Sequence, residues 1–303
     1  MDRRTVLGAL GASLVPLPAY GAPVGVARLA ALEHAAGGRL GVMVRDCTTG
    51  RGFGWRQDER FAMCSTFKLS LAAQLLAQID AGRVRGDEIA AYSLLDVLPA
   101  SPVTGAAAGQ GGLPLLTLAA AAVERSDNLA ANLLLARLGG PPALTAFWRA
   151  IGDGSSRLDN PEPALNHVLP GAEHDTTTPA AMAATVARLV AGPVLSGQAR
   201  VYLWGWMKAA ATGLNRLRAG LPAGWQGGDK TGTFTDPHEP ARINDVAVAL
   251  PPVDHPHFRA PLAIAAYYDP PGARDAARPA DEAVLAAVAR IATDPRAWRV
   301  RHR

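Results

Sequence analysis

Ser65-Thr66-Phe67-Lys68 has the residue types that acyl transfer needs. It follows an extended-looking run over residues 52–63 and opens a helical one over 69–81. A serine on the first helical turn shares a face with a lysine three residues on. Backbone N–H groups at a helix start are unpaired and carry partial positive charge. A nucleophile, a base and oxyanion donors can therefore meet there. Serine also caps helices well, so Ser65 alone reads equally as an N-cap. The chain has three lysines, Lys68, Lys208 and Lys230, among its 30 Lys and Arg residues. Two of these three fall in stretches with chemical content.

Three more stretches matter. Ser126-Asp127-Asn128 lies in an apolar run read as one helix over residues 117–138. Lys230-Thr231-Gly232 follows Trp225-Gln226-Gly227-Gly228-Asp229 and reads as a strand. Glu162-Pro163-Ala164-Leu165-Asn166 lies in a proline-rich loop. Each alone has a plain structural reading: a turn, a strand end, a solvated loop charge. In this order, and at this spacing, the four stretches resemble the signature of class A serine β-lactamases. The resemblance spans nearly all of the chain after its N-terminus.

That resemblance implies roles residue by residue. Ser65 is the nucleophile. Its proton goes to Lys68, or to Glu162 through a water, and that choice stays open. Glu162 activates the deacylating water, which Asn166 helps to hold. Ser126 protonates the leaving nitrogen, Asn128 bonds the substrate's amide side chain, and Asp127 braces the turn. Lys230 and Thr231 form the opposite wall and bind the substrate carboxylate. Backbone N–H groups of Ser65 and Thr233 form the oxyanion hole. Arg216 is a further carboxylate ligand, or else a solvated surface arginine. Residues 157–175 form an omega-shaped loop, stiffened by Pro161, Pro163 and Pro170.

Some positions depart from the family pattern. Ala100 stands where an aromatic residue commonly walls the cleft. Asn160 replaces an arginine that ties the loop's neck to an aspartate such as Asp175. The loop is then looser, or Arg157 takes over. The connection from Thr233 to Asn244 is long and holds Pro237 and Pro240. Cys64, Thr233 and Arg216 resemble the class A carbapenemases. In those, however, a second cysteine follows the Lys-Thr-Gly strand, where this chain has Phe234 and Thr235. Cys47 and Cys64 are therefore expected as two free thiols. Carbapenem turnover stays open, because the lost cysteine and Ala100 count against it.

Rival readings share part of the pattern. A penicillin-binding peptidase has the serine–lysine and Lys-Thr-Gly motifs but lacks the loop glutamate. A β-lactam sensor stays acylated. A serine esterase or glutaminase is more distant.

These residues must be positioned by a sizeable fold, and 303 residues that are 49% hydrophobic suffice for one. Helices are expected at 24–36 and 281–293. Strands are expected at 39–47, 52–61, 225–234, 244–250 and 261–268, with mostly helix from 65 to 211. The pattern implies an α+β fold. Its five-stranded antiparallel sheet is flanked by terminal helices (residues 22–62 and 213–303), beside an all-helical lobe (63–212). The site lies between them.

Residues 1–21 read as a signal peptide with a paired-arginine start, favouring the twin-arginine route over Sec. The protein is expected to be periplasmic or secreted, monomeric and free of the membrane after processing. The formal charge of +4 is spread along the chain, and no nucleic-acid partner is expected. The one tight basic run, 296–303, reads as a solvated tail. No cofactor is expected, and no metal: His255 and His257 lack the spacing and company of a zinc site.

Overall fold

A computed structural model of the chain describes residues 22–300. The signal-peptide reading of residues 1–21 lies outside the described residues.

The chain begins with helix α1 (Val24–Ala36) and the hairpin β1 (Arg39–Asp46) and β2 (Gly52–Trp55). After β3 (Phe61–Ala62) come α2 (Phe67–Asp80), β4 (Ile89–Ala91), α3 (Pro102–Ala106), β5 (Gly112–Pro114), α4 (Leu115–Glu124), α5 (Asn128–Leu138) and α6 (Gly140–Ala150). Then follow β6 (Thr176–Thr177), α7 (Pro179–Ala191), α8 (Gly197–Ala209), β7 (Gln226–Phe234), β8 (Asp236–Pro240) and β9 (Arg242–Leu250). The last elements are β10 (Leu262–Asp269), β11 (Ala273–Arg274) and α9 (Pro279–Ala292).

The main sheet runs β2-β1-β10-β9-β7, with every pair antiparallel. Side chains alternate between its faces along each strand. Leu40, Val42, Ala247, Ala249, Ile264 and Ala266 pack with Leu29 of α1 and Leu285 and Val288 of α9. Val246, Val248, Ala263, Ala265 and Tyr267 face the other way, into a cluster built around α2, α4, α5 and α7. Both faces are covered, so β9 and β10 are buried almost end to end, and β10 reads as a near-continuous apolar run. The fold is α+β, with the five-stranded sheet expected.

Three local expectations need correction. The strand expected over 52–61 stops at Trp55, because Arg56 turns the chain at φ 44°. Phe61–Ala62 pairs instead with Thr176–Thr177. The helix expected over 117–138 breaks between α4 and α5. The long connection after Thr233 carries a strand of its own, since β8 pairs with β11. The basic tail is packed as far as Val300: Ala297 is buried, Trp298 packs on Phe53 and Phe258, and the Arg299 carbonyl accepts from Val24.

Candidate active site

Ser65 sits in a single 3₁₀ turn, Cys64–Thr66, that feeds directly into α2. It does not cap that helix. Its Oγ turns away and donates to Glu162 Oε1 at 3.0 Å. Cys64 reaches this turn at φ 45°, in the left-handed region that costs a non-glycine residue about 1–3 kcal/mol. Strand β7 presses against the turn. A Cβ on Gly232 would lie 2.6 Å from the Met63 carbonyl oxygen. The third residue of Lys-Thr-Gly is therefore glycine for steric reasons, and the close approach brings Thr231 and Thr233 to Ser65.

The break between α4 and α5 presents the second motif. Ser126 adopts φ 57°, and Asp127 caps α5 through its bond from the Ala130 N–H. Asp127 also accepts from the Val103 and Thr104 N–H groups and the Thr104 hydroxyl. A buried aspartate with that many backbone donors favours a helix start over helix continuation.

The loop bearing Glu162 is fixed at its neck by Asp175. That carboxylate accepts from the Asp159 and Asn160 N–H groups at 2.8 and 3.0 Å and from Asn160 Nδ2 at 2.7 Å. Asn160 thus holds the aspartate with a neutral donor. The expectation of a looser neck, or of Arg157 as substitute, is corrected: Arg157 pairs with Asp159. Glu162 itself is clamped by Asn132, a residue missed in the sequence reading. Asn132 accepts from the Glu162 N–H at 3.0 Å and donates to its carbonyl at 2.8 Å. The available signal was a second amide in the apolar α5 run, one turn past Asn128.

The charged groups converge behind this cleft. Lys68 Nζ lies 2.9 Å from Glu162 Oε1 and donates to the Ser126 carbonyl and Asn128 Oδ1. Asn166 Nδ2 donates to the other oxygen, Glu162 Oε2, at 2.9 Å. Lys230 Nζ donates to Ser126 Oγ at 3.0 Å and to the Thr231 carbonyl. Asn128 donates to the Pro99 carbonyl, so its oxygen serves Lys68 and its amide faces two ways.

Both lysines are fully buried. Burial lowers the Lys68 pKa from the usual ammonium range, against the opposing pull of Glu162. Burial, and then the Lys68 charge, bring Lys230 down to about 7.

Arg216 is not the solvated alternative. It is 4% exposed, pairs with Glu282 at 3.0 Å and donates to the Gly232 and Asn244 carbonyls and Thr233 Oγ1. Thr231 Oγ1 meets Thr212 Oγ1 at 2.7 Å. A cleft of about 650 Å³ joins these groups. Eight of the expected site residues line it: Ser65, Ser126, Asn128, Glu162, Asn166, Arg216, Thr231 and Thr233. Lys68 and Lys230 stand behind them. Ala100 lines the cleft rim at φ 56°.

Residues 26–295 match the model of the Beta-lactamase enzyme family. A solved ancestral (GNCA) class A β-lactamase is 49% identical, with a TM-score of 0.80 over 88% of this chain and 98% of that one. The chain is a class A β-lactamase. A solved β-lactamase from Burkholderia vietnamiensis shares 45% identity with it, at a TM-score of 0.81 over 88% of this chain and 94% of that one. The β-lactamase CTX-M-8 of Citrobacter amalonaticus is 42% identical to this β-lactamase over 267 residues, 88% of this chain and 87% of the relative. The β-lactamase L2 of Stenotrophomonas maltophilia is 46% identical over 243 residues, 80% and 78% of the two chains. This β-lactamase hydrolyses β-lactam antibiotics and confers resistance. The peptidase, sensor and esterase readings give way to that membership.

Both cysteines of this β-lactamase are free. Burial pushes each thiol up to about 12. His255 Nδ1 accepts from the His257 and Phe258 N–H groups and closes a turn.

Proposed function

We propose that this β-lactamase acts through a Ser65 acyl-enzyme that Glu162 clears. Ser65 Oγ gives its proton to Glu162 or Lys68 and bonds to the lactam carbonyl carbon, while the N–H groups of Ser65 and Thr233 receive the oxyanion. The ring C–N bond then breaks, and Ser126 gives the nitrogen its proton. Ser126 recovers the proton that Ser65 gave up, while Lys230 donates to the Ser126 hydroxyl oxygen and, with Thr231 and Arg216, holds the substrate carboxylate. Asn128 orients the substrate's amide side chain. Glu162 next takes a proton from a water that attacks the ester, and the C–Oγ bond breaks as Oγ regains a proton. Asn166 holds Glu162 and that water.

The observation that supports this most is Glu162 Oε1, 3.0 Å from Ser65 Oγ and 2.9 Å from Lys68 Nζ. The carboxylate reaches the hydroxyl directly, so it can also serve in acylation. The lowered Lys68 pKa supports the lysine as the alternative acylation base. Timed intact-protein mass spectrometry with benzylpenicillin tests the scheme. It should show a transient adduct that Ser65→Ala abolishes; an adduct surviving in Ser65→Ala would place the chemistry elsewhere.

The same reading takes residues 22–62 with 213–303 as one lobe and 63–212 as the other, supported by separate apolar clusters on the two faces of the sheet. It also takes residues 1–21 as an export signal delivering a monomer to the periplasm or medium. Among the described residues no helix is long and apolar enough to cross a membrane. Replacing Arg3 and Arg4 by lysine tests the route: retained export would exclude the twin-arginine path.

A further inference from the structure

The far side of the Glu162 loop carries a second set of contacts that the catalytic scheme leaves unused. They come from the connection between β7 and β9, which bends over the loop's outer half. Arg242, 7% exposed, aims its guanidinium at main-chain carbonyls. It donates to Asn166 O at 3.2 Å, to Val168 O at 2.6 Å and to Pro240 O at 3.3 Å. Its guanidinium carbon lies 5.3 Å from the centroid of the Phe234 ring. His167 meets that ring edge-on at 5.2 Å, and its Nδ1 lies 2.7 Å from Glu239 Oε1. Phe234 and Val168 share one small apolar cluster.

The connection has its own anchor. Asp236–Pro240 pairs with Ala273–Arg274, and Arg274 bonds Asp281 in the first turn of α9 at 3.2 Å. The loop is thus tied to the sheet and to the closing helix, well away from its neck.

Asn166 joins this clasp to the chemistry. Arg242 holds its carbonyl, and its own amide holds Glu162 Oε2 at 2.9 Å. A guanidinium presents its N–H donors in a rigid planar fork, and here Nη1 and Nη2 each take one of two carbonyls on one bend of the loop. Resting on Glu162 as the deacylation base, we propose that Arg242 is a positioning residue for deacylation. Through Asn166 and Val168 it sets the depth at which the loop presents the Glu162 carboxylate. Phe234, His167 and Glu239 keep the strap seated.

Pre-steady-state kinetics with benzylpenicillin test this on Arg242→Ala, Arg242→Lys and Glu162→Ala. In Arg242→Ala, deacylation should slow about 10–100-fold, as expected when a base is displaced by about 1 Å. The acyl-enzyme should accumulate, kcat and KM should fall together, and kcat/KM should fall less. The titre of acylatable sites should stay at one per chain. Arg242→Lys, with one donor group for two carbonyls, should recover part of the rate. Wild-type deacylation in Arg242→Ala would overturn the proposal. So would a reduced titre with normal kcat and KM in the remaining molecules, which marks a folding role only. If Arg242→Ala does not fold, His167→Ala and Glu239→Gln remove the half-exposed pair, and unchanged deacylation in both would overturn it. Glu162→Ala separates the two levels. Fast deacylation there overturns the role of Glu162. Slow deacylation there, with normal deacylation in Arg242→Ala, overturns the strap alone.

Discussion

Lys68 Nζ and Glu162 Oε1 stand 2.9 Å apart, and both side chains are shut off from solvent. The carboxylate therefore bears on the charge of the amine. Burial drives Lys68 toward the neutral amine, and the Glu162 carboxylate pulls it back toward ammonium. Glu162→Gln removes that pull, so Lys68 becomes neutral at lower pH. If Lys68 is the acylation base, the acid limb of the acylation rate moves to lower pH in Glu162→Gln. Stopped-flow acylation across pH 4–8, with benzylpenicillin, reads this directly. Collapse of acylation at every pH would instead make Glu162 the acylation base.

Lys230 predicts the other limb. Its folded pKa, about 7, lies below the usual lysine value of 10.5. The ammonium proposed to bind the substrate carboxylate is therefore lost as pH rises through that value in the free enzyme. The ratio kcat/KM should fall on the alkaline side with a midpoint near 7. In Lys230→Arg the guanidinium stays charged, and the fall should move up by at least about one pH unit. An unmoved alkaline limb would show that another group titrates there.

Asp127 carries structural weight. Asp127→Ala leaves the Val103 and Thr104 N–H groups without their acceptor and removes the α5 cap. The expected loss is about 3 kcal/mol. Thermal unfolding should show Tm lower by roughly 5–10 °C. Asp127→Asn keeps one acceptor oxygen and should lose about half as much. A Tm within about 2 °C of wild type in Asp127→Ala would contradict the bracing role.

The cysteines should be inert in the folded protein. With both thiols near 12, about one in ten thousand is thiolate at pH 8. A disulfide-exchange reagent should label no thiol per folded chain and two per unfolded chain. Reduced and non-reduced protein should have the same mass. Fast labelling of the native protein would contradict the burial that raises both thiols.

Much of this site was legible because its chemistry is local. Ser65 and Lys68 stand one turn apart in sequence, and the α1 helix ends where its alanine–leucine pattern ends. The less legible parts depend on distant partners. The break before α5 follows from Asp127 capturing N–H groups about 24 residues upstream, so an unbroken apolar pattern concealed it. Phe61–Ala62 leaves the main sheet because Thr176–Thr177 supplies another edge. Asn132 looked like one polar interruption of an apolar helix until Glu162 stood opposite. Arg216 looked like one arginine among many until Glu282 and two carbonyls enclosed it. Arg242 gave no local signal, because its acceptors lie in a loop about 75 residues earlier.

The most direct measurement is timed intact-protein mass spectrometry of Glu162→Ala beside wild type, with excess benzylpenicillin. Wild type should show a brief adduct on Ser65 and then free enzyme with hydrolysed drug. Glu162→Ala should acylate and stay acylated, with one adduct per chain persisting for minutes or longer. Rapid return of free enzyme in Glu162→Ala would contradict the scheme and place the deacylation base on another residue.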